Sequence, residues 1–375
     1  MRVLYFSENL ALHDMRFLRA YRARGIDVVF VRLREAAPAD RIQPPAGVRE
    51  VELTPRPDED PGSYLDPRPF KRNDWASPLA TLVESLGIDV IHAGPLTTCA
   101  WIAAAVPETP LVAMSWGSDI LGASASSADI RIRISQVVAR AALVQCDSVA
   151  VRAVLVEDYG LDTARVVVFP WGVDTELFHP ARQGAIVLEQ RAAWANSILV
   201  VSLRRWEPVY DISTTLEGFA IASSSDHRLK LLLAGDGSLR EYVDRRVSEP
   251  DLAGRVTLVG IVPQAGLPDL LASSDVYVSS SACDGTSVSL LEAMACGVAP
   301  VVSDIPGNRE WVVPSSTGAL FPVGDAAALA SRILELARDD DLRTTIGSRC
   351  RKRAERDASW ARNFGRLFDA MEGIS

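Results

Sequence analysis

Short apolar runs of strand composition alternate with helix-spaced apolar stripes twice along this chain, and that alternation admits few folds. The first pass runs strand, helix, strand over residues 3–6, 14–24 and 28–32, with Gly25 stopping the helix. Further helices are predicted near 77–86, 98–105 and 130–142, and further strands at 90–92, 111–115, 143–145 and 166–169. The second pass places strands at 198–203, 229–234, 256–259, 276–278 and 301–302, with helices near 214–222, 239–247, 268–272 and 289–295. Each strand–helix–strand step requires a parallel neighbour and a right-handed crossover. The fold class is therefore α/β, with two doubly wound Rossmann-like domains. In open sheets of this kind ligands sit at the carboxyl ends of the strands, so the two domains are expected to face each other across a cleft.

Length supports the division, because 375 residues exceed a usual single core and 48% hydrophobic content is ample for two. The boundary is expected near residues 178–184, where Asp174-Thr-Glu-Leu-Phe-His-Pro180 leaves the periodic pattern. The domains then run over 1–178 and 179–355, followed by a helical segment at 356–375. Apolar spacing at Trp360, Phe364, Leu367, Phe368 and Met371 predicts that this last helix packs across the domain junction. Residues 34–75, rich in Pro, Asp and Arg, read as a long irregular excursion.

Composition excludes several classes. The net charge of −9 is spread over both halves, so neither is a basic nucleic-acid-binding domain. Five cysteines, odd in number and without a Cys-x-x-Cys, support neither a disulfide framework nor a zinc site; a reducing cytoplasm is the expected compartment. Apolar runs such as 99–106 fall far short of the roughly 18–20 residues of a membrane span, and neither a signal peptide nor an integral anchor is expected. At most a peripheral membrane contact would arise through Arg16, Arg19, Arg22 and Arg24, which otherwise read as a solvated helix face.

The segment from Ser281 to Gly297 carries the chemistry. Val276-Tyr277-Val278 ends a strand, Asp284-Gly285 makes a turn, and a helix follows. Such a helix aims unpaired N–H groups and the positive end of its dipole at whatever sits above the turn, which suits a diphosphate. Glu292 would accept ribose hydroxyls, and Asp284 would reach the group beyond the phosphates. A second reading is purely local: Ser289-x-x-Glu292 is also a capping box, and Asp-Gly is a common turn.

With its neighbours, this segment resembles the family 4 glycosyltransferases of the GT-B fold, which move a sugar from a nucleotide donor with retention of configuration. The resemblance runs nearly end to end. It rests on the acidic pair Asp284 and Glu292 followed by Ala293-Met294-Ala295-Cys296-Gly297. Supporting motifs are Gly117-Ser118-Asp119, Gly172-Val173-Asp174, Ala234-Gly235-Asp236-Gly237, Pro306-Gly307-Asn308-Arg309-Glu310 and the run Gly318 to Asp325. The resemblance implies that the first domain binds the acceptor and the second the nucleotide sugar. Glu292 would hold the ribose, Asp284 would stand where a Glu usually touches the transferred sugar, and backbone N–H groups of Gly285, Thr286 and Ser287 would cradle the distal phosphate. Arg204 matches the arginine that meets the diphosphate, with Arg205 as the alternative register; Tyr210, Gly235 and Gly237 belong to the same donor pocket. In the first domain Asp119 is the implied participant, with Trp116, His92 and His13 on the acceptor side. His92 also reads as a hydrogen-bonded structural residue, Asp119 as a helix cap, and Trp116 as a core plug.

The implied partners are a UDP- or GDP-sugar donor and a sugar or glycan-type acceptor, with no cofactor. No metal is expected, because a guanidinium and a helix N-terminus already meet the charge that grows on the leaving diphosphate. Four cleft positions depart from the family pattern. Tyr210 stands where a lysine is usual, Asp284 replaces Glu, Trp116 replaces a histidine, and Trp171 replaces an asparagine. The loop from Ser7 to Asp14 also lacks the usual paired glycines. A non-catalytic nucleotide-sugar-binding protein and another GT-B chemistry, such as nucleotide-sugar epimerisation, are the competing functions. A nicotinamide dehydrogenase is disfavoured, since no three-glycine turn follows the first strand.

Overall fold

A computed structural model describes residues 1–33, 42–53, 72–122, 127–181 and 196–374. Most of the expected 34–75 excursion, and the 182–184 end of the expected boundary, lie outside the described residues. The chain divides into two compact units, Met1–Pro170 with Arg362–Ser375, and Trp171–Ala361.

In the first unit β1 (Arg2–Ser7), α1 (Leu12–Ala23), β2 (Asp27–Arg32) and β3 (Arg49–Glu52) open the sheet. Then come α2 (Arg72–Leu86), β4 (Val90–Ala93), α3 (Cys99–Ala103), β5 (Leu111–Met114), α4 (Ser118–Leu121) and α5 (Ala128–Arg140). The unit continues through β6 (Leu143–Cys146), α6 (Val149–Glu157) and β7 (Val166–Val168). The sheet order is β3-β2-β1-β4-β5-β6-β7, and every pairing is parallel. Beyond their first residues β1 and β2 are buried on both faces, as strands roofed above and below by helices must be. That explains why they read as continuous apolar runs rather than alternating ones.

The second unit contains β8 (Ile198–Ser202), α7 (Ile212–Ser225), β9 (Leu229–Ala234), α8 (Arg240–Val247), β10 (Val256–Gly260) and α9 (Leu267–Ala272). It continues with β11 (Val276–Ser279), α10 (Val288–Ala295), β12 (Ala299–Ser303), α11 (Pro306–Arg309) and β13 (Ala319–Phe321). Two helices, α12 (Ala326–Arg338) and α13 (Asp340–Asp357), close it. The sheet order is β10-β9-β8-β11-β12-β13, again parallel throughout. The chain leaves β8 toward β9 on one side and returns to β11 on the other. The gap between β8 and β11 is thus the topological switch point, where loops diverge and leave a crevice. In the first unit the corresponding point lies between β1 and β4.

The last helix, α14 (Trp360–Glu372), joins the first unit for most of its length. Its buried residues Phe364, Leu367 and Met371 recur at helical spacing, and the Phe364 ring lies 5.3 Å from Tyr21 and 6.0 Å from Phe17 of α1. The Arg24 guanidinium, just past α1, stacks 4.7 Å over Phe364 and 5.2 Å over Phe368. Arg24 therefore covers this helix rather than belonging to a purely solvated face. No described helix is long and apolar enough to cross a membrane.

Candidate functional site

The switch point of the second unit gathers three loops. After β8, the chain runs through Arg204 to a short 3-10 turn at Pro208–Tyr210. After β11 it passes Asp284 and Gly285 before α10, and after β12 it enters α11 at Pro306. Arg204 is the centre. Its Nη2 donates to Asp284 Oδ2 at 2.6 Å, and its Nη1 donates to Ser287 Oγ at 2.8 Å and to Ser289 Oγ at 3.4 Å. The guanidinium carbon Cζ lies over the Tyr210 ring, 4.1 Å from its centre. Side-chain exposure is only 12% for Arg204 and 15% for Asp284, so the pair is largely desolvated and its geometry is fixed by partners on several sides. Burial opposes the charge, but the Asp284 carboxylate outweighs it, with Tyr210 and Tyr277 adding to the effect, and the guanidinium pKa stands above its ordinary value. Burial also raises the Tyr210 phenol, which stays neutral.

Close backbone packing fixes these loops. A Cβ on Gly235 would lie 2.7 Å from the Arg204 carbonyl oxygen, and one on Gly237 would lie 2.5 Å from that of Trp206. The Trp206 N–H donates to the Asp236 carbonyl at 3.0 Å, and the Leu239 N–H to the Trp206 carbonyl at 2.9 Å. The Gly235-x-Gly237 motif thus presses against the Arg204 segment and sets where the guanidinium starts. On the other side, a Cβ on Gly307 would lie 1.9 Å from the Gly285 carbonyl oxygen and 2.7 Å from that of Asp284. Asn308 continues this clamp by donating to the Ser303 carbonyl at 2.9 Å. Trp311 Nε1 donates to Thr286 Oγ1 at 3.4 Å.

The cap of α10 resolves the two local readings of its sequence. Ser287, not Ser289, is the N-cap, with extended backbone and an Oγ that accepts from the Leu290 N–H at 3.4 Å. Three residues beyond the cap stands Leu290, so there is no capping box and Glu292 is not part of one. Ser289 lies inside the helix, where its hydroxyl bonds the Tyr277 hydroxyl at 2.7 Å. Glu292 occupies the second turn and is 5% exposed. The N-terminus of α10, the Arg204 guanidinium and the Asp284 carboxylate therefore meet at the switch-point crevice, with Glu292 one turn further along the same helix. Physically this is a place for a polyanion carrying hydroxyls.

Comparison with known proteins gives the family and the fold. Residues 13–177 match the model of Glycosyltransferase Family 4, and residues 188–353 match that of Glycosyl transferases group 1. The chain belongs to the family 4 glycosyltransferases. N-acetyl-alpha-D-glucosaminyl L-malate synthase of Bacillus anthracis is 30% identical over 155 residues, 41% of this chain and 40% of that protein. Phosphatidyl-myo-inositol mannosyltransferase of Mycolicibacterium smegmatis is 30% identical over 148 residues, 39% of this chain and 37% of that one. The alignments thus span about two fifths of these relatives' length. Among solved structures, the Anabaena protein HepE in complex with UDP and glucose superposes with a TM-score of 0.81 at 19% identity over the whole of both chains. Sucrose-phosphate synthase from Thermosynechococcus elongatus gives 0.80 at 21%, again over the whole of both. The fold is GT-B.

Several expected site residues of this glycosyltransferase-family chain are engaged by protein partners. Arg205 does not join Arg204: its side chain is 70% exposed and its nearest charge is Glu207, 3.4 Å away. In the first unit Asp119, expected to take part in catalysis, is fully buried. Its Oδ1 accepts from Ser115 Oγ at 2.7 Å and the Trp116 N–H at 3.0 Å, and its Oδ2 from the Leu96 N–H at 2.8 Å. It is a strut between the loops after β4 and β5. His92, expected on the acceptor side, is likewise fully buried; Nδ1 faces the Tyr21 hydroxyl at 2.8 Å and Nε2 faces Gln145 Oε1 at 3.1 Å. With both nitrogens engaged inside the core it offers a ligand nothing. His13 and Trp116 do meet, ring edge to face at 4.8 Å, beside the ends of β1 and β5. Sequence reasoning passed over Glu8, buried at the first unit's switch point, where its carboxylate accepts from Thr98 Oγ1 at 2.7 Å. A carboxylate directly after the first strand was the available signal.

The two buried titratable groups make opposite contributions to stability. Burial lowers the His92 pKa to about 3, so the stability tied to its neutral form is complete above its ordinary value of 6.5 and drains away as pH falls toward 3. Burial raises Asp119 to about 6 against the pull of its donors, so its contribution is complete below 3.8 and is lost as pH rises through about 6. Between those limits the slopes oppose one another. Asp119→Asn should expose the His92 slope, with stability of the first unit falling by about 1.4 kcal/mol per pH unit on acidification. His92→Gln should leave the reverse slope. Unfolding midpoints recorded from pH 4 to 7 check both signs.

Proposed function

We propose that this chain is a retaining glycosyltransferase that moves a sugar from a UDP- or GDP-activated donor to a hydroxyl of a sugar or glycan-type acceptor, without a metal ion. The second unit holds the donor and the first takes the acceptor. The observation that carries this reading is the convergence of a desolvated guanidinium, its Asp284 partner and the α10 N-terminus at the switch point between β8 and β11. As the bond from the anomeric carbon to the diphosphate breaks, negative charge grows on the phosphate. Arg204 and the α10 N-terminus are oriented for that charge beforehand, which is where such groups act most strongly. Positive charge is thereby supplied by the chain itself, and this supports a metal-free reaction.

Glu292 accepts the ribose hydroxyls. Asp284 reaches the sugar and is shared between it and Arg204. The acceptor oxygen attacks the anomeric carbon from the face that the diphosphate leaves, and its proton passes to the departing phosphate oxygen. Configuration is retained with no covalent enzyme intermediate. Support for a UDP donor comes from HepE, whose fold this chain shares and which has been solved with UDP and UDP-glucose. Five cysteines, four of them buried and none in a disulfide among the described residues, support a reducing cytoplasm.

A thermal-shift panel of nucleotide sugars tests the donor. One base should raise the unfolding midpoint by about 5 °C at a hundredfold excess over its Kd, and the others should not. The product's anomeric configuration, read by NMR, tests retention, and inversion would overturn it.

A further inference from the structure

Arg204 is the guanidinium that the loops of the donor site hold, between Asp284, Ser287, Ser289 and Tyr210. The chain contains three lysines, Lys71, Lys230 and Lys352; of the two that are described, Lys230 on β9 points its Nζ at the Gly254 carbonyl, 2.9 Å away, and Lys352 lies in α13. Arg205 faces outward. A single guanidinium then has to be well aimed, because a planar fork delivers its donors only along fixed directions. Three of its five N–H donors are tied to Asp284, Ser287 and Ser289, while Nε is buried and has no hydrogen-bond partner among the described residues. Hydrogen bonds at the edge of a planar group do not stop it from tilting. A ring against its face does.

We propose that Tyr210 is the positioning residue that holds the Arg204 guanidinium plane for the donor's diphosphate through its ring face, not its hydroxyl. This rests on the donor site proposed above. The ring is itself well anchored. Tyr210 closes the turn Pro208–Tyr210, and Asp211 follows with a left-handed φ of 45° and caps α7 by accepting from the Thr214 N–H at 3.3 Å. The same turn is stitched to the end of β11: the Ala282 N–H donates to the Val209 carbonyl at 2.9 Å, and Ser280 Oγ to the Tyr210 carbonyl at 3.1 Å. The ring and Asp284 therefore ride on one hydrogen-bonded segment, and together they hold the guanidinium from its face and its edge.

The test compares Tyr210→Phe with Tyr210→Leu, and uses Tyr210→Met if the leucine variant does not fold. Calorimetric Kd values are taken for the nucleoside diphosphate and monophosphate of the preferred base. The phenylalanine variant should match wild type. Leucine or methionine should weaken the diphosphate about tenfold, the order expected for loss of a desolvated cation–π contact, and leave the monophosphate within about twofold. A general structural defect would weaken both nucleotides alike. Equal loss in the phenylalanine variant, or none in the leucine variant, overturns the proposal. A second readout needs no ligand: the Arg204 Nε–H resonance, identified by its disappearance in Arg204→Lys, should be ring-shifted and slow to exchange in wild type and Tyr210→Phe, and lost in Tyr210→Leu. If wild type binds no nucleoside diphosphate, the donor-site reading fails; persistence of that resonance in Tyr210→Leu sinks the Tyr210 role by itself.

Discussion

Replacing Arg204 by alanine is expected to lower kcat/KM for the nucleotide-sugar donor by about 10²–10³-fold, the loss seen when one pre-aimed donor to a developing oxyanion is removed. Most of the loss should fall on kcat, because the charge it answers is largest in the transition state. Lysine at this position should recover little. A point charge neither lies flat on Tyr210 nor reaches Asp284, Ser287 and the ligand together. The substitution also leaves the Asp284 carboxylate largely buried beside no cation, so the second unit should lose stability as well. The double variant Arg204→Met with Asp284→Asn separates the two effects. It removes both charges and should regain much of the unfolding midpoint while activity stays low. Recovery of activity along with stability would mean that Arg204 is a structural ion pair and nothing more.

Gly307→Ala should be nearly as damaging to turnover, although Gly307 itself is assigned no contact with substrate. In the first turn of a helix alanine is intrinsically better than glycine by up to about 1 kcal/mol, so α11 alone would favour the change. The packing decides otherwise. The added Cβ would fall 1.9 Å from the Gly285 carbonyl oxygen and 2.7 Å from that of Asp284, and neither obstacle is a side chain that can turn away. The loop bearing Asp284 must shift by the better part of 1 Å or more, and displacements of that size cost about 100-fold in rate when they move a positioned group. Steady-state kinetics should show that fall while circular dichroism keeps a folded α/β signature. Kinetic constants within twofold of wild type would show that the loop is not clamped there.

Much of this architecture was legible because its periods are simple. Strands buried on both faces read as apolar runs, helices as 3.6-residue stripes, and their alternation leaves little but parallel sheets. The misses have physical causes. Strand β3, Arg-Glu-Val-Glu, is a half-buried edge that carries no apolar run, and β13 has only three residues. Helices α12 and α13 follow the last strand pair, beyond the span where strand–helix alternation guided the reading. Within the site, Ser287 and Ser289 are equivalent as sequence, and only the extended backbone at Ser287 decides which one caps α10. Arg204 and Arg205 are adjacent, yet a chain leaving a strand sends successive side chains to opposite sides, one into the crevice and one to solvent. His92 and Asp119 looked reactive by residue type. The His92 partners Tyr21 and Gln145 lie 71 and 53 residues away, and Asp119 adds to its local donors Ser115 and Trp116 the Leu96 N–H 23 residues away, so no local pattern gives the full set.

The reading as a whole stands on one claim, that the switch point of the second unit holds and activates a nucleotide sugar by its own charges. Release of nucleoside diphosphate from UDP- and GDP-sugars, followed before and after exhaustive chelation in wild type, Arg204→Ala and Glu292→Ala, tests it most directly. Wild type should release nucleotide from at least one donor at a rate that chelation leaves unchanged, and both variants should be slower by at least about 100-fold. Release that the variants retain in full, or that chelation abolishes in wild type, would contradict the claim.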